Sequence, residues 1–348
     1  MLDLRGQQLE DDEREILRHP LVGGVILFSR NYLNPDQLSS LCTEIHDLRR
    51  PQLLIAVDHE GGRVQRFHEH FTALPPCRCY GEQYDVDTEK GMRLSEQGGW
   101  LMAAELLAVG VDFSFAPVLD LDRGISSVIG NRAFHSDADI TSLLARRFMH
   151  GMKQAGMASV GKHFPGHGSV AQDSHLESPV DERRYEDIAM SDLLPFERLI
   201  NAGLAAIMPA HVSYPVVDDK PAGYSSIWLQ QILRRQLGFQ GVIFSDDISM
   251  EGAGVAGGYL DRVLASLDAG CDMVLICNNQ EAAVSVLDEL NIQPHPASQA
   301  RFMRMHGRGP NLTLSELQSS DKWQSTITMI TGLDRSPELE LGDDEIKS

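Results

Sequence analysis

Apolar residues in this chain gather in short, unbroken runs, and the segments between the runs carry helical periodicity. The runs are GVILFS at 24–29, LLIAVD at 53–58, DFSFAPV at 112–118, ASVGKHF at 158–164, AAIMP at 205–209, VIFSD at 242–246 and DMVLIC at 272–277. Runs of this length without polar alternation predict strands buried on both faces, as in a parallel sheet. Between them the period changes. Asn34-Pro35 reads as a helix N-cap followed by proline at the first helical position, with Leu38, Leu41, Ile45 and Leu48 on one face. Ser225 or Ser226 opens a helix carrying Ile227, Leu229, Ile232 and Leu233 that stops near Gly238. Leu260, Val263, Leu264 and Leu267 mark another, ended by Gly270. Strand–helix alternation predicts right-handed crossovers and an α/β fold. With residues 2–4 as a short eighth strand, eight βα units would close a TIM (β/α)8 barrel; seven strands in an open sheet is the competing arrangement.

The rhythm stops after about Asn291. Residues 314–330 predict one closing helix, with Thr313 and Glu316 spaced as a capping box. No Gly-, Pro- or Ser-rich linker divides the chain, so residues 1–333 read as one domain and the acidic stretch 334–348 as a mobile tail.

Charge and cysteine usage narrow the setting. The 348 residues include 30 Lys+Arg and 50 Asp+Glu, a formal charge of −20, and no basic tract. That balance argues against nucleic acid and against anionic membrane surfaces as partners. The longest apolar runs are far shorter than the roughly 20 residues of a membrane-spanning helix. The opening MLDLRGQQLEDDERE has no apolar core of a signal peptide. The five cysteines (Cys42, Cys77, Cys79, Cys271 and Cys277) are odd in number and lack a C-x-x-C pair, the pattern of free thiols in a reducing compartment. A cytoplasmic protein is expected. Cys77 and Cys79 are placed in a Pro-rich loop, LPPCRC.

Reactive side chains collect just after the strands: Asp58, Lys162 with His163, His211, and Asp246 with Asp247. In a parallel barrel the carboxyl ends of the strands share one rim, which carries the active site. The richest segment is KHFPGHGSVAQDSH at 162–175. Pro165, Gly166 and Gly168 prevent a regular helix there, so it reads as a long loop over the rim. Within it Asp173 stands two residues from His175, where it can hold the imidazole in one tautomer; a solvated surface turn is the alternative. Asp246, at the tip of a buried strand, is a candidate metal ligand, base or covalent nucleophile, with Asp247 facing the other way.

DHEGGRVQRF (58–67), IGNRAF (129–134), KHFPGHG with DSH (162–175) and SDDISM (245–250) resemble the motifs of family 3 glycoside hydrolases, in that family's order. The likeness is to the family's single-domain bacterial β-N-acetylhexosaminidases and runs from about Leu2 to Leu333. It implies a single-domain TIM barrel acting on β-linked N-acetylglucosamine; the chain departs from the family in starting almost inside the first barrel strand, so a shortened first strand is expected. By the resemblance, Asp246 is the nucleophile and His175 with Asp173 the acid/base dyad. Asp58, Arg66, Arg132, Lys162 and His163 fall on sugar-binding positions. It further implies N-acetylglucosaminyl-1,6-anhydro-muropeptides of cell-wall recycling as substrates, a retaining mechanism through a covalent glycosyl-aspartate, and no cofactor. No heptads mark a dimer helix, so a monomer is expected.

Other chemistries would use some of the same residues. His163, His167, Asp173 and His175 are possible metal ligands, but HFPGH is not HExxH and the spacing is irregular, so no metal is expected. Lys162 at a strand end is where a Schiff-base lysine could stand. A non-catalytic sugar-binding barrel would not need Asp246 together with DSH. Many β-glucosidases of the same family take their acid/base from a second domain, for which this chain is too short.

Overall fold

The computed structural model describes residues 1–171, 179–310, 312–331 and 333. Among them the strands are, in chain order, β1 (Gly24–Leu27), β2 (Leu54–Val57), β3 (His59–Gly61), β4 (Val64–Gln65), β5 (Phe113–Ser114), β6 (Val160–Phe164), β7 (Ala206–Pro209), β8 (Ser213–Tyr214), β9 (Asp218–Pro221), β10 (Val242–Asp247) and β11 (Met273–Leu275). All seven apolar runs became parallel strands. One sheet has the order β1-β2-β5 and another β11-β10-β7-β6. β1, β2, β6 and β7 are buried along their whole length, as continuous apolar runs require.

Parallel bridges link the two sheets on both sides. Val118 bridges Lys162, and the Leu119 amide donates to the Lys162 carbonyl at 2.7 Å. Leu2 bridges both Val25 and Ile276. The expected strand at 2–4 is therefore a single bridging residue. The run 112–118 pairs in two pieces, 113–114 with β2 and 118 with β6, because Pro117 between them has no N–H for the ladder. Phe113 and Phe115 meet Phe244 of the other sheet with ring centroids 5.4 Å apart, so the sheets share one aromatic interior.

The helices begin and end where local chemistry says they should. Asn34 accepts the Gln37 amide at 2.9 Å ahead of Pro35–Asp47, which buries Leu38, Leu41 and Ile45. The Ser225 hydroxyl accepts the Trp228 amide at 3.1 Å at the head of Ile227–Gln236, a π-helix. Tyr259–Ala269 stops at Gly270 in the left-handed conformation. No helix among the described residues is long and apolar enough to cross a membrane.

Two expectations need correction. Residues 314–330 are two helices, Leu314–Gln318 and Asp321–Ile330. The Thr313–Glu316 capping box forms as expected, but Ser320 accepts the Trp323 amide and so starts a new helix. Cys77 and Cys79 lie not in a loop but in the first turn of Cys77–Val86, where the preceding Pro76 loses nothing by lacking an N–H. The hairpins β3–β4 and β8–β9, which leave the ends of β2 and β7, had not been anticipated.

Helices Thr88–Ala108 and Ala138–Ala155 pack backbone to backbone through glycines. A Cβ at Gly151 would lie 1.9 Å from the Glu96 carbonyl oxygen, and one at Gly99 would lie 2.1 Å from that of Phe148. Rigid backbone cannot yield as a side-chain tip can. Gly151→Ala should lower the unfolding free energy by about 1–3 kcal/mol, read as a shift of the urea midpoint without change of slope.

Candidate active site

The polar groups at the carboxyl ends of the strands converge in three linked clusters. The first is built from the run after β2. Backbone alternation puts Asp58 and Glu60 on the same side. The Lys162 ammonium, rising from β6, reaches Asp58 Oδ1 at 2.7 Å and Glu60 Oε1 at 2.6 Å. Arg132, at the end of the turn Gly130–Arg132, grips Glu60 through two parallel bonds of 2.8 Å. Glu60, Lys162 and Arg132 are buried, while the Asp58 side chain is 24 % exposed. Burial opposes ionisation of Glu60, but the charges of Arg132 and Lys162 outweigh it and hold the carboxyl far below its usual range. Burial likewise opposes the Lys162 ammonium, yet Asp58 and Glu60 keep it above the ordinary lysine value.

The second cluster centres on Asp120, just past the Val118 bridge. Its Oδ2 is 2.7 Å from His163 Nδ1, and its Oδ1 accepts the His167 amide at 2.7 Å. Asp120 is buried; burial opposes its charge, but His163 and the bonds it receives hold its carboxyl below the usual range. Gly168 follows in close contact with Leu121, whose carbonyl oxygen would lie 1.9 Å from a Cβ there. The His167 ring stands 6.1 Å from that of His163 and is pushed down to about 4, chiefly by burial.

The third cluster ends β10. Asp247 is committed to its neighbours: its carboxylate accepts the Ser249 hydroxyl and amide and the Cys277 amide at 3.1 Å, while its carbonyl takes a bond from His211 at 3.0 Å. Burial pushes the Asp247 carboxyl up to about 6, and the Asp246 charge adds to the rise. Asp246 is half-buried, accepts the Asp247 amide at 2.9 Å, and its charge acts on His167.

Arg66 lies buried over the Phe28 ring at 5.7 Å, and its charge acts on His59, the neighbour of Asp58. Asp173 and His175 lie outside the described residues. On either side of that stretch, Ser169 and Arg183 both meet Asp192, which also accepts Arg123 at 2.9 Å. Among the described residues no group of three or more His, Cys, Asp or Glu side chains is placed to hold a metal ion.

The comparisons with known proteins bear on this arrangement. Residues 1–305 match the model of the glycosyl hydrolase family 3 N-terminal domain. The chain belongs to glycosyl hydrolase family 3. A protein named Beta-hexosaminidase from Thioalkalivibrio sulfidiphilus is 58 % identical over 341 residues, 98 % of each chain. One of the same name from Thiobacillus denitrificans is 54 % identical over 345 residues, covering 99 % of this chain and 96 % of its own. The crystal structure of NagZ from Neisseria gonorrhoeae in complex with N-trifluoroacetyl-D-glucosamine superposes with a TM-score of 0.91 at 44 % identity, covering 96 % of this chain and 97 % of its own. This family 3 chain is thus a glycoside hydrolase.

In the family 3 chain the strand ends bring Asp58, Lys162 and, through Glu60, Arg132 together. His163 is next to Lys162 in sequence but turns to Asp120. Sequence reading passed over Glu60 and Asp120. The signal for Glu60 was its i, i+2 spacing from Asp58; for Asp120 it was an acid closing the apolar run VLD. A cavity of about 720 Å3 also opens at the other end of the strands, lined by Leu2, Gly23, Leu54 and Met273. None of the three clusters borders it, so the convergence of charge and not cavity size locates the site.

Two outcomes follow from the electrostatics. Glu60→Ala leaves the buried Arg132 without its carboxylate and Lys162 with Asp58 alone, and should cost about 3–5 kcal/mol of stability, measured by denaturant unfolding. Burial pushes His59 down to about 3, so the folded state refuses a proton that the unfolded state takes below about pH 6.5. Stability should therefore fall as pH drops from 6.5 toward 4. His59→Phe, in a niche already walled by Phe67 and Phe71, should flatten that slope by up to about 1.4 kcal/mol per pH unit.

Proposed function

We propose that this family 3 hydrolase is a retaining β-N-acetylhexosaminidase that releases β-linked N-acetylglucosamine from 1,6-anhydro-muropeptides during cell-wall recycling. The observation that carries the reading is Asp246 at the tip of β10, on the same rim as the Asp58–Lys162 pair, in a chain so similar over its full length to proteins named Beta-hexosaminidase. The linked sheets are read as one (β/α)8 barrel, with Leu2 standing for the first strand. The free thiols support a cytoplasmic enzyme, and the lack of heptads in the sequence supports a monomeric one.

On this reading, Asp58, Lys162, Arg132, His163 and Arg66 bind and orient the sugar. Asp246 attacks the anomeric carbon through an oxocarbenium-like transition state while His175, steadied by Asp173, gives its proton to the leaving oxygen. The bond from C1 to the aglycone breaks and a bond to Asp246 forms. Neutral His175 then takes a proton from water, which attacks C1 and frees Asp246, so the sugar departs in its original β configuration. The engagement of Asp247 with Ser249 and Cys277 supports Asp246 as the attacking member of the pair.

The test is turnover of aryl β-N-acetylglucosaminides, with the first-formed anomer read by NMR. The β anomer should appear first, and the matching β-glucoside should be turned over far more slowly. Asp246→Ala should lose at least about 10^4-fold in kcat. His175→Ala should lose much of its rate on a poor leaving group and little in the first step with a good one. First appearance of the α anomer, or full activity without Asp246, would overturn the mechanism.

A further inference from the structure

Asp120 is a buried carboxylate that receives several directed bonds from one short stretch of chain. His163 offers it both backbone and ring: the amide at 3.2 Å and Nδ1 at 2.7 Å. The His167 amide occupies its other oxygen at 2.7 Å. An ionised carboxylate has no proton to give, so the proton in the His163–Asp120 contact belongs to Nδ1. Among the described residues no group pairs with the other ring nitrogen, Nε2. His163 itself follows Lys162, whose ammonium binds the partly exposed Asp58.

We propose that Asp120 is a positioning residue for glycoside hydrolysis. It locks the His163 imidazole in the Nδ1–H tautomer and so presents Nε2 to a sugar hydroxyl as a hydrogen-bond acceptor. A neutral imidazole free in solution favours the opposite assignment, with the proton on Nε2, and would then offer the sugar a donor. The same carboxylate anchors the start of the 162–171 loop through His167, so ring and loop are set by one group. The inference rests on the reading that His163 contacts substrate, but the tautomer can be examined without that reading.

The experiment has two arms. In protein carrying 15N-labelled histidine at pH 8, with His163 assigned by its loss in His163→Gln, the wild-type ring should show a protonated Nδ1 and a bare Nε2. A protonated Nε2 in the wild type would overturn the proposal even if no variant at position 120 folds. In the kinetic arm, Asp120→Asn should lower kcat/KM by about 10–100-fold and shift the His163 signals toward the other tautomer. In a His163→Ala background the same change should cost less than about twofold further. An equal loss in both backgrounds would show that Asp120 does not act through His163, and would also overturn it. If His163→Ala alone hydrolyses like the wild type, the kinetic half of the inference fails with the assignment of His163 to the sugar, while the tautomer result stands independently.

Discussion

The site depends on a carboxylate enclosed by the protein's own cations. Glu60 is buried, and an isolated charge there would cost several kcal/mol after relaxation. It is tolerable because Lys162 and Arg132 meet it with three short bonds. The same three bonds fix where those cations can be. Lys162 is thereby held in place with its remaining capacity turned to Asp58, the one partly exposed member of the group. Fully matched networks of this kind are rigid, because every alternative arrangement leaves a buried charge unpaired. The position of the cations is set within the protein itself, which suits the sugar-orienting role proposed for them.

Asp120 applies the same logic to the neighbouring loop. The chain leaving β6 turns away from the sheet through PGHG at 165–168, and a loop there has to satisfy its own backbone amides. The amides of His163 and His167 converge on one carboxylate. Tyr214 adds a bond from its hydroxyl to the Gly166 carbonyl at 2.7 Å. Farther along, Asp192 collects Arg123, Ser169 and Arg183. The described part of this segment is thus tied to the fold by two buried acids and a tyrosine hydroxyl.

The strands were legible because burial on both faces writes a continuous apolar run, a signal that survives without any knowledge of the partners. The helices with caps were legible for a similar reason: Asn34, Ser225 and Gly270 act on their own neighbours. What escaped was pairing between distant segments. The hairpin β3–β4 is two or three residues on each side, too short for alternation to show. Glu60 looks like any acid in a glycine-rich turn until Lys162 and Arg132 are brought to it from about a hundred and about seventy residues away. Asp120 is equally silent in sequence, because its partners lie at the end of β6 and on the loop that follows it. Leu2 shows the limit from the other side: the apolar letters at 2–4 suggested a strand, and the fold needed only one bridge on each side.

The balance of charge also bears on why an imidazole suits the proton-transfer role in the proposed mechanism. Asp58, Glu60, Asp120, Asp246 and Asp247 all face this end of the strands, against Lys162, Arg132 and Arg66. Glu60 consumes most of the cationic capacity, and Asp247 already shows the effect of crowding, since burial and the charge of Asp246 together push its carboxyl up to about 6. A further carboxylic acid brought in as proton donor would be driven the same way, its ionised form penalised by every neighbour, and would return the proton poorly as a base in the second half of the reaction. An imidazole alternates between neutral and cationic instead. Its charged form is favoured by those same carboxylates, and its neutral form adds no negative charge to a site that has little room for more.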